Sequence, residues 1–177
     1  MTKDTYSFSL QLGNEIEGTR VTGIIRADGV ILEQESEKTF LTCPICLATG
    51  TRIDTLDGYI PVNDMRVGML VWTCDIRGTR IVVPVLETVK TQVPVSHRVV
   101  FLRLLDGREI YASPGHPTMD GRTLGMIYIG DELDGAVVTI SDSIPYPGEY
   151  TYDIMPAGDT GGYWANGILL KSTIHTG

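Results

Sequence analysis

Three residues able to act on a peptide bond stand far apart in this chain: Cys46, Ser113 and His116. Cys46 opens the run Cys-Leu-Ala-Thr-Gly-Thr-Arg-Ile, in which a thiol leads into a Gly-Thr turn and a strand-like segment. Ser113 and His116 share one Ser-Pro-Gly-His turn. A thiolate can take over an acyl group when donors assist the carbonyl oxygen and the departing nitrogen. These residues predict attack by Cys46 on the Ile45–Cys46 peptide bond of the chain itself.

Cys46 and His116 also have a structural interpretation. A free cysteine thiol has a pKa of about 8.5, so only a few per cent is ionised at neutral pH, and an isolated cysteine such as Cys46 is more often a buried core residue. His116 taken alone fits a turn histidine that is satisfied by its neighbours. In the catalytic interpretation, His116 gives a proton to the amide nitrogen and the Ser113 hydroxyl donates to the carbonyl.

Composition excludes several classes of function. The 177 residues are 42% hydrophobic and 20% charged, enough for one globular domain with a good core. The net charge of −8 is spread along the chain, which argues against a nucleic-acid partner. No apolar run approaches the roughly 20 residues that span a bilayer, and the N-terminus lacks a signal-peptide apolar region. We therefore expect a cytoplasmic monomer with no membrane and no nucleic-acid partner.

The three cysteines are Cys43, Cys46 and Cys74. Their odd number and the missing signal argue against a disulfide scaffold. Cys43-Pro44-Ile45-Cys46 is a Cys-x-x-Cys motif, but no βαβ pattern surrounds it, and a zinc site needs two further ligands. We predict no metal and no cofactor. A Cys43–Cys46 disulfide that blocks the nucleophile is a third use of the spacing, and it makes Cys43 a candidate redox switch.

The chain reads as strands and turns throughout. β-Strand signals occur at 6–12, 21–25, 30–32, 80–85, 99–105, 109–112 and 136–140, and Asp-Gly turn signals lie at Asp28, Asp106 and Asp134. Short helices are predicted only near 62–65 and 123–127. A weak internal repeat relates the segment around 50–71 to the segment around 107–133. It predicts an all-β fold of two related β subdomains, one holding Cys46 and the other His116, with a site where they meet.

Several blocks in the chain resemble the Hint family, which comprises inteins, the autoprocessing domain of Hedgehog proteins and bacterial intein-like domains. The resemblance covers about residues 46–172. Its blocks occur in the family's order. They are Cys46 with Gly50-Thr51, the stretch 106–117 ending in Ser-Pro-Gly-His-Pro, Ile129-Gly130-Asp131-Glu132-Leu133, Tyr152-Asp153-Ile154, and the stretch 163–170. Ser113 stands where the family has threonine.

The resemblance implies a Hint-type horseshoe with pseudo-two-fold symmetry and an N-to-S acyl shift. Cys46 would form a thioester with Ile45, His116 would protonate or strain the amide nitrogen, Ser113 would assist, and Asp153 would match the acidic residue near the nucleophile. By its sequence alone, Asp153 equally suits a surface carboxylate. The implied layout is an upstream β-rich segment at 1–45, the Hint domain at 46–172 and a tail at 173–177.

The closing block departs from the splicing pattern of inteins. Splicing inteins end this block in His-Asn, and the asparagine cyclises to cut the C-terminal bond. Lys171-Ser172 stands in those places, and neither residue can cyclise. The sequence therefore predicts single-turnover self-cleavage or acyl transfer at Ile45–Cys46 without full splicing. The chain's own polypeptide would be the substrate, and water or an external nucleophile the acyl acceptor. The alternative is a catalytically silent Hint-fold scaffold or protein-interaction module.

Overall fold

A computed structural model describes residues 5–13, 18–39 and 46–174 of the chain. The chain divides into two compact units, residues 1–43 and 44–177. The described residues form strands joined by turns and two short 3-10 helices, Val62–Asp64 and Leu124–Met126, as the all-β prediction requires. The strands are β1 Thr5–Gly13, β2 Gly18–Arg26, β3 Ile31–Thr39, β4 Leu47–Ala48, β5 Arg52–Thr55, β6 Gly58–Pro61, β7 Leu70–Cys74, β8 Arg80–Gln92, β9 Arg98–Leu104, β10 Glu109–Ala112, β11 Glu132–Leu133, β12 Ala136–Pro145, β13 Tyr150–Pro156, β14 Gly162–Ala165 and β15 Ile168–Lys171.

The first unit is an antiparallel sheet in the order β1-β2-β3. The register pairs Tyr6 with Ile25, and the turn between β2 and β3 contains the predicted Asp28-Gly29 pair. Gly29 has a φ of +86°, a conformation that glycine adopts without steric cost. The predicted strands at 6–12 and 21–25 are thus confirmed with wider bounds, and the strand predicted at 30–32 starts at Ile31 and continues to Thr39.

The second unit holds one continuous sheet of antiparallel pairs. Its strand order is β11-β12-β9-β10-β4-β13-β8-β7-β5-β14-β15, with β6 beside β5. The two-residue strand β4 lies between β10 and β13, which are far from it and from each other in sequence. Because Cys46 directly precedes β4, this insertion brings the N-terminal end of the domain into the middle of the sheet.

Two-residue turns with positive φ close two of the hairpins. Asp134-Gly135 joins β11 to β12 and Asn166-Gly167 joins β14 to β15, and all four of these residues have φ between +48° and +78°. This is the geometry of the mirror-image turns that match the twist of paired strands. The predicted Asp106-Gly107 turn joins β9 to β10, as expected.

The same succession of elements occurs twice in the second unit. Val62–Asp64 precedes the hairpin of β7 and β8, and Leu124–Met126 precedes the hairpin of β11 and β12. These 3-10 helices lie inside the two segments predicted to be helical. The succession agrees with the internal repeat read from the sequence.

The described hydrophobic core lies in the second unit. Strand β10 alternates half-buried and buried residues, as a strand does when one of its faces is turned to a core. The core includes Leu47, Ile53, Leu102, Ile110, Leu124, Ile154, Tyr163, Ile168 and Leu170, all completely buried. Among the residues that the structure describes, none forms a helix of the length and apolar character needed to cross a membrane.

Candidate active site

Strand register places Cys46 between Ser113 and Asp153. In β4, Leu47 pairs with Ala112 of β10 on one side and with Tyr152 of β13 on the other. One step along each antiparallel pair sets Cys46 opposite both Ser113 and Asp153. The Ser113 amide donates to the Cys46 carbonyl at 2.9 Å, which extends the ladder by that step. Residues opposite each other on adjacent strands have Cβ atoms about 4.5–5.5 Å apart, so the three side chains share one small region.

The Cys46 thiol is held in its protonated form. Its residue is 4% exposed, and burial together with the negative charge of Asp153 raises the pKa of the thiol to about 12. Hydroxyl groups of Thr151, Thr91 and Thr173 act in the opposite direction because they favour the ionised sulfur. The resting site therefore contains a thiol with donors placed around it rather than a thiolate.

Among these three threonines, Thr151 has a hydroxyl whose hydrogen bonding bears most directly on the sulfur. Its hydroxyl oxygen is buried and makes no hydrogen bond with any described residue. It lies close enough to favour an ionised Cys46, yet it lacks the geometry of a formed bond to the sulfur. A buried donor left in this condition costs free energy, and that cost is recovered when a partner becomes charged. Thr151 is thus placed to donate to the sulfur when the sulfur loses its proton.

Asp153 is the centre of a buried hydrogen-bond network and is 1% exposed. One carboxylate oxygen accepts from the Ile154 amide at 2.7 Å and from the Tyr163 hydroxyl at 2.5 Å. The other accepts from the amide and the hydroxyl of Thr173, both at 2.6 Å. These four donors hold both carboxylate oxygens of Asp153 in place beside Cys46.

Tyr163 connects Asp153 to His116. The Tyr163 hydroxyl gives its proton to Asp153, and the same oxygen lies 3.4 Å from Nε2 of His116. Both side chains are completely buried, and burial followed by the Asp153 charge raises the pKa of the Tyr163 phenol. Since the phenol proton points at Asp153, the Tyr163 oxygen can only accept from His116. This contact is a hydrogen bond when Nε2 of His116 carries a proton.

The turn that carries Ser113 and His116 is held by hydrogen bonds and by the close packing of Gly125 against Pro114. The His116 amide donates to the Ser113 carbonyl at 3.0 Å, and the Leu124 amide donates to the His116 carbonyl at 2.9 Å. Gly125 donates to the Pro114 carbonyl at 2.7 Å. A Cβ on Gly125 would lie only 2.9 Å from the Pro114 Cβ, so this position requires glycine. The 3-10 helix Leu124–Met126 therefore holds the turn through these contacts.

Ser113 has a second histidine as a neighbour. Nε2 of His97 lies 3.1 Å from the Ser113 hydroxyl oxygen, and both residues are buried. His97 directly precedes β9 and belongs to no motif that would distinguish it from a structural histidine. Burial lowers the pKa of His97, so its ring is neutral at neutral pH.

The family sequence model described as Hint domain matches residues 45–132. The chain contains a Hint-family, intein-like domain. Among solved structures, the DnaB intein from Synechocystis sp. PCC 6803 is similar, with a TM-score of 0.63 and 16% identity over 73% of this chain and 99% of that one. The bacterial intein-like domain from Clostridium thermocellum has a TM-score of 0.63 and 21% identity over 72% and 98%. The gp41-1 intein has a TM-score of 0.57 and 24% identity over 71% and 97%. No curated protein matches the chain.

The end of the Hint domain returns to the site. The Ser172 amide donates to the Gly161 carbonyl at 2.8 Å, and the Ser172 hydroxyl lies 3.5 Å from Asp153. Thr173, the first residue of the predicted tail, is bonded to Asp153 as described above. Lys171 is exposed and its backbone amide donates to the Pro117 carbonyl. Ser172, which the sequence resemblance sets at the place of the intein asparagine, has no side-chain amide to cyclise.

The structure brings Cys46, Ser113, His116 and Asp153 into one buried cluster within the Hint domain. Ile45 and Cys43, the predicted acyl donor and redox switch, lie outside the described residues. Sequence reasoning did not find Tyr163, Thr151 or His97 as neighbours of the site. Tyr163 stands in a block that already carried the resemblance, but nothing in a single sequence shows which residue its hydroxyl reaches. Among the described residues, no three His, Cys, Asp or Glu side chains are grouped as metal ligands would be.

Proposed function

We propose that this Hint domain is self-processing and that it activates its own Ile45–Cys46 peptide bond through a thioester. The observation that carries the proposal is the strand register, which sets Cys46 opposite both Ser113 and Asp153. The Tyr163 bridge then adds His116 to the same cluster. These are the nucleophile, the hydroxyl donor, the acidic residue and the histidine that the sequence resemblance implies.

The first step is formation of the C–S bond. The thiol proton moves to the His116 ring, and the sulfur adds to the Ile45 carbonyl carbon. Thr151 donates to the sulfur as it becomes charged. The Ser113 hydroxyl donates to the carbonyl oxygen as negative charge develops there.

The second step breaks the C–N bond. His116 passes that proton to the Cys46 nitrogen, which leaves as an amine. The thiol proton is thus transferred to the new amino group, and the site gains or loses none. Residues 1–45 are then joined to the Cys46 sulfur as a thioester, with Ile45 as the acyl residue.

Release follows when water or an external nucleophile attacks the thioester. The products are the segment 1–45, as an acid or an acyl conjugate, and the segment 46–177 with Cys46 at its new N-terminus. The splicing route through asparagine cyclisation is absent from the proposal because Ser172 has no amide. Cleavage, rather than ligation of flanking segments, is the expected outcome.

One observation favours the second candidate function, a Hint-fold scaffold without catalysis. The Cys46 thiol is buried with a pKa of about 12, and so is held in its less nucleophilic form. A domain that had lost its chemistry would tolerate such a thiol. The two candidates differ in whether the intact chain yields fragments when hydroxylamine is added.

The test is incubation of the purified chain with and without hydroxylamine, followed on a denaturing gel. A 19.4 kDa chain cut at Ile45–Cys46 gives fragments of about 5 and about 14 kDa. We expect hydroxylamine to increase both fragments together. A chain that stays intact through long incubation supports the scaffold instead.

Two cysteine variants give a matched comparison. Cys46→Ala removes the nucleophile and should abolish the fragments. Cys74→Ala removes another buried free thiol, which lies in β7 outside the site, and should leave cleavage as in the wild type. Fragments that persist in Cys46→Ala would remove this residue from the mechanism.

A further inference from the structure

The Ser113 hydroxyl is in contact with a buried histidine that has no part in the mechanism above. Its oxygen lies 3.1 Å from Nε2 of His97, and Ser113 is completely buried. The hydroxyl carries one proton, so its orientation decides whether it can donate to a third group. The chemical state of His97 therefore controls what Ser113 can do.

His97 is held in one position by its surroundings. Its amide donates to the Pro94 carbonyl at 2.8 Å, and its carbonyl accepts from the Tyr146 amide at 3.0 Å. The edge of the His97 ring meets Tyr146, with ring centroids 5.9 Å apart and planes at 84°. The Tyr146 hydroxyl is itself fixed, because it donates to the Tyr150 carbonyl at 2.7 Å and accepts from the Thr49 amide at 2.9 Å. The ring is thus preorganised for one contact with Ser113.

The two neutral tautomers of His97 give Ser113 opposite roles. If Nε2 of His97 carries the proton, it donates to the Ser113 oxygen, and the hydroxyl proton is available to the reacting carbonyl. If Nδ1 carries the proton, Nε2 is an acceptor and takes the hydroxyl proton from Ser113. Only the first tautomer makes Ser113 a donor to a developing oxyanion.

We propose that His97 is a positioning residue that, as the Nε2–H tautomer, donates to Ser113 and thereby directs the serine proton towards the Ile45 carbonyl. This inference rests on the proposed thioester chemistry and deepens it. No atom is transferred to or from His97 during the reaction. Its contribution is to prevent Ser113 from donating its hydroxyl proton to Nε2 of His97.

The test compares hydroxylamine cleavage of the full chain in His97→Phe and His97→Gln. Phenylalanine fills the space without a donor, whereas the glutamine amide can donate from about the position of Nε2. We expect His97→Phe to slow cleavage by roughly 10²-fold, as expected for loss of an oxyanion donor, and His97→Gln to recover most of the rate. Val95→Ala, on the exposed turn before His97, is the local control and should cleave like the wild type.

Two outcomes separate a positioning role from a purely structural one. In a Ser113→Ala background, His97→Phe should cause no further loss, because its effect acts through the serine hydroxyl. Equal losses in both backgrounds, or equally slow Phe and Gln variants, would overturn the inference. Fragments absent from the wild type would instead contradict the proposed function.

The tautomer itself is measured by ¹⁵N NMR of labelled histidine in the intact wild-type chain. This readout depends neither on cleavage nor on the folding of any variant. We expect the proton of His97 on Nε2. A proton on Nδ1 would overturn the inference whatever the cleavage rates are.

Discussion

Cys46 keeps its proton far more strongly than an isolated cysteine does. Burial and the Asp153 charge raise the pKa of its thiol to about 12, although three threonine hydroxyls are placed to favour the thiolate. In the proposed reaction the proton is not lost to solvent but moves to the Cys46 nitrogen. A high thiol pKa is compatible with such a mechanism because the proton that activates the sulfur is the one that the leaving nitrogen needs.

This proton transfer predicts the alkaline side of the pH profile. In the reactive form of the site, the thiol and His116 together hold one proton. On the alkaline side, the fraction of chains in this form falls only when the pH exceeds the pKa of the thiol. We expect a hydroxylamine cleavage rate that does not decline between about pH 8 and pH 10, because the pKa of Cys46 lies near 12. Single-turnover rates from gel densitometry measure it. An alkaline decline near pH 9, where an ordinary cysteine ionises, would contradict the buried-thiol account.

Cys43 leads to a separate prediction about reducing agents. The Cys-x-x-Cys spacing predicts a Cys43–Cys46 disulfide that removes the nucleophile, while the described structure has Cys46 as a free thiol. We expect cleavage after air oxidation to be slow and to recover with dithiothreitol. Cys43→Ser is the matched control, and its cleavage should be the same with and without the reductant. Equal rates for the oxidised and reduced wild type would exclude the switch.

At the scale of elements, the site depends on the insertion of β4 between β10 and β13. A strand of two residues gives no periodicity, so the sequence predicts neither its existence nor its partners. The hairpins were predictable because Asp-Gly turns and β-branched runs are local signals. The neighbours His97 and Tyr163 were not, because their contacts with Ser113, Asp153 and His116 form only after distant strands pair. The resemblance predicted the four site residues, whereas their neighbours are visible only in the folded structure.

The second element that positions the site is the 3-10 helix Leu124–Met126, through Gly125. A Cβ at this position would lie 2.9 Å from the Pro114 Cβ and 3.0 Å from the Pro114 carbonyl oxygen, so Gly125→Ala must displace the Ser113–His116 turn. We expect this variant to cleave roughly tenfold more slowly, since misplacement of about 1 Å can cost 10²-fold. Met126→Ala changes an exposed neighbour and should cleave normally. Unchanged cleavage in Gly125→Ala would show that the turn adapts and that its exact position is not critical for the reaction.

At the scale of the whole molecule, the two units differ in how much they bury. The described core residues all belong to the unit 44–177. In the unit 1–43, by contrast, Tyr6, Leu10 and Ile31 are each more than half exposed. The free energy of folding that comes from apolar burial is therefore supplied mainly by the second unit.

This difference predicts that residues 44–177 fold without the first unit. We expect a Cys46→Ala chain of residues 44–177 to unfold cooperatively, with a Tm within about 5 °C of the full-length Cys46→Ala chain, because the two share the same buried core. Circular dichroism melting compares the two. A non-cooperative transition, or aggregation of 44–177 at temperatures where the longer chain stays folded, would show that the first unit contributes to the fold of the second.

The measurement that tests the account most directly is the intact mass of the fragments formed with hydroxylamine. A thioester at Cys46 predicts an N-terminal fragment that ends at Ile45 as a hydroxamate, together with a fragment that begins at Cys46 with an unmodified amine. Cys46→Ala should yield neither mass. A wild-type chain that keeps its full mass, or fragments whose masses place the cut at another bond, would contradict thioester formation at Ile45–Cys46.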